Sequence, residues 1–264
     1  LQFIYQEKKM AIRKLNVLVG VSALLFGAII RPVAAGEVNA AVAANFTKPV
    51  EQIVALFQKE SGHTVKLSFG SSGKFTSQIK EGAPFDVFLA ADEKNPKLLE
   101  QEGLAVADSR FIYAVGKLVL WSAKPGYVDD KGAVLSQGNY NKIAYADPKL
   151  APYGLAAQET LQKLNLWNKV QGKMVTGESI NQVYQFAASG NAELAFIALS
   201  QITKDGKVTE GSWWIVPAEM YSPIKQAAIQ LTAAKDKAAT QAFLKFLKSE
   251  KALAIIRNFG YGLQ

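Results

Sequence analysis

From Gly36 onward, short apolar runs alternate with amphipathic stretches. Residues 38–43, 65–69 and 85–90 are β-rich runs of strand length. Between the first two, Val50, Ile53, Val54 and Phe57 recur at helical spacing, which predicts a helix over 46–60. Gly62 comes next and suits the left-handed position that closes a helix. Residues 111–122 form one long strand candidate, and 143–146, 174–175, 194–199 and 213–216 are further strands. Helices are expected to start at Gly154, Glu178 and Asp236. Strand–helix alternation of this kind implies an α/β fold with mostly parallel sheets. Two extended stretches, 111–123 and 221–231, flank a middle block with its own alternation. If both are crossovers, 36–117 with 224–264 makes lobe I, and 118–223 makes lobe II.

The start of the chain has a different pattern. Lys8, Lys9, Arg13 and Lys14 precede an apolar run over 15–30, and Val33-Ala34-Ala35 supplies small residues before Gly36. A charged start, an apolar middle and a small-residue exit make a secretory signal, expected to be cleaved near Ala35. Met10 is the expected true start, with 1–9 upstream of it. Arg31 and Pro32 cut the run short of a membrane span.

Charge changes meaning once that segment is set aside. The chain has 264 residues, 30 basic and 22 acidic, for a net charge of +8. Residues 1–35 hold five of the bases and one of the acids, leaving 25 against 21, a net of +4. That excess is small and scattered, which argues against nucleic acid as a partner. There is no Cys and a single His, His63. Disulfides, thiolate nucleophiles and cysteine metal sites are therefore excluded, and histidine-based catalysis has little to work with.

Candidate chemistry lies where strands hand over to helices. The junctions are Ala43-Ala44-Asn45-Phe46-Thr47, with Asn45 expected as the N-cap; Phe69-Gly70-Ser71-Ser72-Gly73-Lys74; Asp147-Pro148 through Pro152-Tyr153-Gly154; and Thr176-Gly177-Glu178-Ser179-Ile180-Asn181. A helix start exposes unpaired N–H groups and the positive end of its dipole, a ready anion site. Ser and Asn add neutral donors, and ligands of open α/β sheets bind beyond the carboxyl ends of the strands. Ordinary helix capping explains the same residues at any single junction.

Other groups carry less. Gly73-Lys74 imitates a phosphate loop, but Ser68 stands where the first Gly belongs and Phe75 where Ser or Thr belongs. Asp86, Asp92 and Asp147 read as strand-end and capping carboxylates before they read as a cation site. His63 reads as a solvated connector, and one ring of Trp213-Trp214 as core.

The stretch from Gly82-Ala83-Pro84-Phe85-Asp86 to Val87-Phe88-Leu89-Ala90-Ala91-Asp92 resembles a hallmark of the periplasmic molybdate-binding proteins of ABC transporters. The Asn45 junction, the Ser72 junction, the Asp147-Pro148 segment leading to Tyr153-Gly154 and the ending Asn258-Phe259-Gly260-Tyr261-Gly262 fall in that family's order. The resemblance implies a two-lobed type II periplasmic-binding clamshell with a two-strand hinge, gripping a tetrahedral oxyanion. It assigns a polar side chain to Asn45, a hydroxyl and amide to Ser72, and backbone amides to Tyr153 and Ile180. Ala198 stands where many members carry a tyrosine donor. Asn45 is the expected substitute, with the Tyr153 ring packed or used as a lid.

The same resemblance implies an exported, monomeric carrier of molybdate, and of tungstate too. It would be periplasmic, need no cofactor and serve a membrane permease and its ATPase. The alternatives are a carrier of sulfate, phosphate or an organic acid, or a secreted enzyme acting on an anion. No positioned nucleophile–base pair supports the enzyme.

Overall fold

The computed structural model describes residues 35–264. Residues 1–34, with the expected start at Met10 and nearly all of the expected signal, lie outside the described residues. The first part of the chain runs β1 (Glu37–Ala43), α1 (Thr47–Ser61), β2 (Thr64–Gly70), α2 (Ser72–Lys80), β3 (Val87–Leu89), α3 (Lys94–Gln101) and β4 (Phe111–Gly116). The middle part opens with β5 (Leu118–Ser122), α4 (Val134–Gln137), β6 (Ile143–Ala146), α5 (Pro152–Lys163) and α6 (Trp167–Val170). It continues through β7 (Met174–Gly177), α7 (Ile180–Ala188), β8 (Leu194–Ala198) and α8 (Leu199–Ile202). The small strands β9 (Thr203–Lys204) and β10 (Lys207–Val208) and then β11 (Ser212–Ile215) complete it. β12 (Ile224–Gln230), α9 (Lys237–Leu247) and α10 (Glu250–Asn258) end the chain.

The described residues form two five-stranded sheets, ordered β2-β1-β3-β12-β4 and β11-β5-β8-β6-β7. In the first, β1 pairs in parallel with β2 and β3, because α1 and α2 carry the chain back over the sheet. β12 returns antiparallel to β3 and β4. In the second, β6 is parallel to β7 and β8, while β5 is antiparallel to β8 and β11. The sheets are therefore mixed: in each, four strands run one way, as expected of mostly parallel sheets, and one crossover strand, β12 or β5, runs against them. The expected single strand over 111–122 is two strands, β4 and β5, parted at Lys117 and paired into different sheets.

Each sheet has its own core. α1 buries Pro49, Val50, Ile53, Val54 and Phe57 against the first sheet and stops at Gly62, which takes the left-handed conformation with φ 74°. Phe57 meets Phe243 and Phe246 of α9 with ring centroids 5.3 and 5.5 Å apart, so the C-terminal helices seal this lobe. Trp121, Leu118, Phe196 and Tyr153 are fully buried in the second lobe. Of the tryptophan pair, Trp214 is buried and Trp213 is exposed, as strand alternation requires. His63 is not solvated: it is buried, accepts the Gly36 N–H at Nδ1 (2.9 Å) and stacks on Phe57.

Candidate anion-binding site

The four junctions come together. Asn45, Ser72, Tyr153 and Ile180 all border one small cavity of about 10 Å³, two from each lobe, and no charged residue lines it. All four are buried. Their backbone N–H groups sit in first turns, where a helix offers no internal acceptor. Ser72 and Ile180 open α2 and α7, Tyr153 comes after Pro152 at the head of α5, and Asn45 lies in a 3₁₀ turn, Ala44–Phe46.

Local chemistry sets each junction. Pro152 suits the first helical position because its nitrogen has no hydrogen to satisfy. Gly154 lets α5 start hard against β6: a Cβ there would lie 2.1 Å from the Ala146 carbonyl oxygen. Ser179 caps α7 by accepting the Gln182 N–H (3.4 Å). Ser71 occupies the N-cap of α2, yet its hydroxyl is buried and has no partner among the described residues. The Ser72 hydroxyl accepts the Ala91 N–H (2.9 Å), which leaves its own hydrogen to donate elsewhere.

Asn45 departs from expectation. It does not act as the cap of α1, and its side-chain amide donates to Gln226 Oε1 (2.8 Å) and to the Tyr261 hydroxyl (2.9 Å). Both amide hydrogens are thus engaged behind the cavity. The Tyr153 ring is packed, as expected, and its hydroxyl accepts from Gln226 Nε2 (3.2 Å). Gln226 Oε1 also takes a hydrogen bond from Tyr113 (2.9 Å). Ser200 and Tyr261 both donate to the Asn45 carbonyl at 2.8 Å. Burial pushes Tyr113 and Tyr153 well above the ordinary phenol value and Tyr261 up to about 12, so these groups are neutral donors and acceptors. Gln226, Tyr113 and Ser200 were not singled out in the sequence.

The lobes meet around the cavity. Gly73 N–H donates to the Leu150 carbonyl (2.9 Å), Lys48 to the Gln201 carbonyl (2.6 Å) and Asn181 to Thr47 (3.2 Å). Lys74 pairs with Glu178 across the mouth at 3.5 Å, with both side chains more than half exposed. Ala198 is not on the cavity wall, and its N–H donates to the Gln201 side chain (3.0 Å). The carboxylates serve the fold. Asp86 accepts from the Asn39 and Lys235 backbones, Asp92 from Asn95 and Asp147 from Lys149. Among the described residues no group of three or more His, Cys, Asp or Glu side chains could hold a metal ion.

Such a site can hold an anion by convergent neutral donors and three helix starts. Residues 38–262 match the family model for bacterial extracellular solute-binding proteins. The chain is 57% identical over 230 residues to the molybdate-binding protein ModA of Azotobacter vinelandii, covering 87% of this chain and 91% of that protein. It is 55% identical over 231 residues to ModA of Rhodobacter capsulatus, covering 87% and 90%. The solved periplasmic molybdate-binding protein of Azotobacter vinelandii superposes with a TM-score of 0.84 at 44% identity, covering 86% of this chain and 99% of that one.

Proposed function

The chain belongs to the bacterial extracellular solute-binding proteins, and from that premise we propose that it captures molybdate between its lobes and delivers it to an ABC transporter. The observation that carries the reading is that four buried first-turn residues, Asn45, Ser72, Tyr153 and Ile180, border one cavity without a charged wall, where their amides are available to an anion. Molybdate is a full dianion at neutral pH. Donors alone can hold it, with the Ser72 hydroxyl adding one more hydrogen bond. Two relatives that are more than half identical to the chain over most of their length are named for molybdate.

Tungstate has the same shape and charge and enters the same site. The smaller sulfate leaves amides spaced for molybdate with lengthened bonds. In this reading the chain is a carrier with no catalytic step, and it works as a monomer in the periplasm after loss of residues 1–35. Its lobes are 36–117 with 224–264 and 118–223, and its partners are the permease and ATPase subunits. Calorimetric titration of the mature chain with molybdate, tungstate and sulfate tests it. Saturable one-to-one binding of the first two, with sulfate far weaker, is expected. Tighter binding of sulfate would overturn the choice of anion, and no binding of any of the three would overturn the site.

A further inference from the structure

Behind the anion cavity lies a cluster of polar groups that the proposed contacts do not use. At its centre is Gln226, fully buried at the point where the register of β12 shifts. Its carboxamide reaches both lobes at once. Oε1 accepts from Asn45 at 2.8 Å and from Tyr113 at 2.9 Å, while Nε2 donates to the Tyr153 hydroxyl at 3.2 Å. Asn45 belongs to the first junction and Tyr153 to the third. One amide side chain thus ties together the side chains of two of the four junction residues, one from each side of the cleft.

The surroundings leave that amide no other place. A Cβ on Gly116, the last residue of β4, would come within 2.2 Å of the Tyr153 hydroxyl and 2.9 Å of Gln226 Nε2. The absent side chain is the space in which the two groups meet. The second amide hydrogen of Asn45 goes to Tyr261, which is 2.9 Å from Ser200, and Ser200 returns a bond to the Asn45 carbonyl. Asn45 is pinned from behind at its side chain and its carbonyl, so its N–H keeps one direction. A satisfied buried network of this kind holds one geometry, because any shift strands a polar group away from water.

Resting on the molybdate reading, we propose that Gln226 is the positioning residue of the site, fixing the Asn45 and Tyr153 amides at one spacing across the closed cleft. It acts through those two residues and touches no ligand. Gln226→Met keeps the volume and removes all three hydrogen bonds. Calorimetry with molybdate on the full mature chain should show affinity falling about tenfold or more, the scale of one or two lost net hydrogen bonds. The decisive reading is the double variant. If Gln226 acts through Tyr153, then Tyr153→Phe combined with Gln226→Met should bind about as well as Gln226→Met alone. Ser72→Ala, which lies outside the network, should multiply its loss with that of Gln226→Met.

Parental affinity in Gln226→Met, or losses of Tyr153→Phe and Gln226→Met that multiply, would overturn the assignment. Should Gln226→Met not fold, Tyr113→Phe replaces it, removing one hydrogen bond to Oε1 without a change of shape. Its loss should then merge with that of Tyr153→Phe, and independent losses would refute the proposal. The parent titration judges the molybdate reading, and the ratio of variant to parent judges Gln226.

Discussion

The two lobes face the same cavity with different chemistry. The first lobe offers side chains as well as backbone: the Ser72 hydroxyl, and beside it the unpartnered hydroxyl of Ser71. The second lobe brings the backbones of Tyr153 and Ile180, whose side chains are a packed phenol turned toward Gln226 and an aliphatic chain. Side-chain donors can be lost one at a time by substitution. Backbone donors can be lost only by moving the chain. Recognition by the first lobe should thus respond to residue identity, and recognition by the second to how closely its helices approach the sheet.

The largest effect should come from forcing the second lobe's backbone. Gly154→Ala puts a methyl group 2.1 Å from the Ala146 carbonyl oxygen, so the head of α5 must shift and the Tyr153 N–H with it. Overpacking of this kind costs about 1–3 kcal/mol or more. A loss of molybdate affinity of about a hundredfold or more is expected, in protein that still melts cooperatively. Retained affinity would mean that the third junction does not face the anion. Ser72→Ala, the matching test of the first lobe, should cost about 1–3 kcal/mol, roughly a 5- to 150-fold loss. It also strands the Ala91 N–H that Ser72 now accepts. Ile180→Val sharpens the contrast: it trims one methylene, worth about 0.8 kcal/mol, and leaves the amide in place. Affinity should fall less than about fivefold, and a larger loss would give the second lobe a side-chain role after all.

Legibility in the sequence tracked the range of the forces involved. The junctions were readable because Gly, Pro, Ser and Asn act within a few residues of themselves. Gly62 closing α1 and Pro152 opening α5 are local facts. Their meeting at one cavity was inferred through family likeness, since nothing local says that residues 45 and 180 face each other. Gln226 was not readable at all. In the sequence it is one polar residue in a crossover strand, and its partners lie 181, 113 and 73 residues away. The same distance hid the true duty of Asn45, whose amide looked free for the cleft. His63 is unreadable for a related reason, because its hydrogen-bond partner, the Gly36 N–H, comes from 27 residues earlier. The break between β4 and β5 was missed because apolar residues continue on both sides of Lys117 while the strands join different sheets.

The smallest expected effect tests the premise common to both lobes, that neither uses a cation. Lys74 is the basic residue nearest the second junction, and it reaches across the mouth to Glu178 at 3.5 Å. Its side chain is 54% exposed, so water and salt screen its charge, and an exposed pair of this kind is worth a few tenths of a kcal/mol. Lys74→Ala should therefore change molybdate affinity by about twofold. Most of that change should lie in the association rate and fade at high salt, as expected for a charge that steers an anion without touching it. Loss of binding that persists in high salt would point to a direct charge-assisted hydrogen bond from Lys74. The difference between the lobes would then be one of charge, with a cationic first lobe and a neutral second, and not one of side chain against backbone.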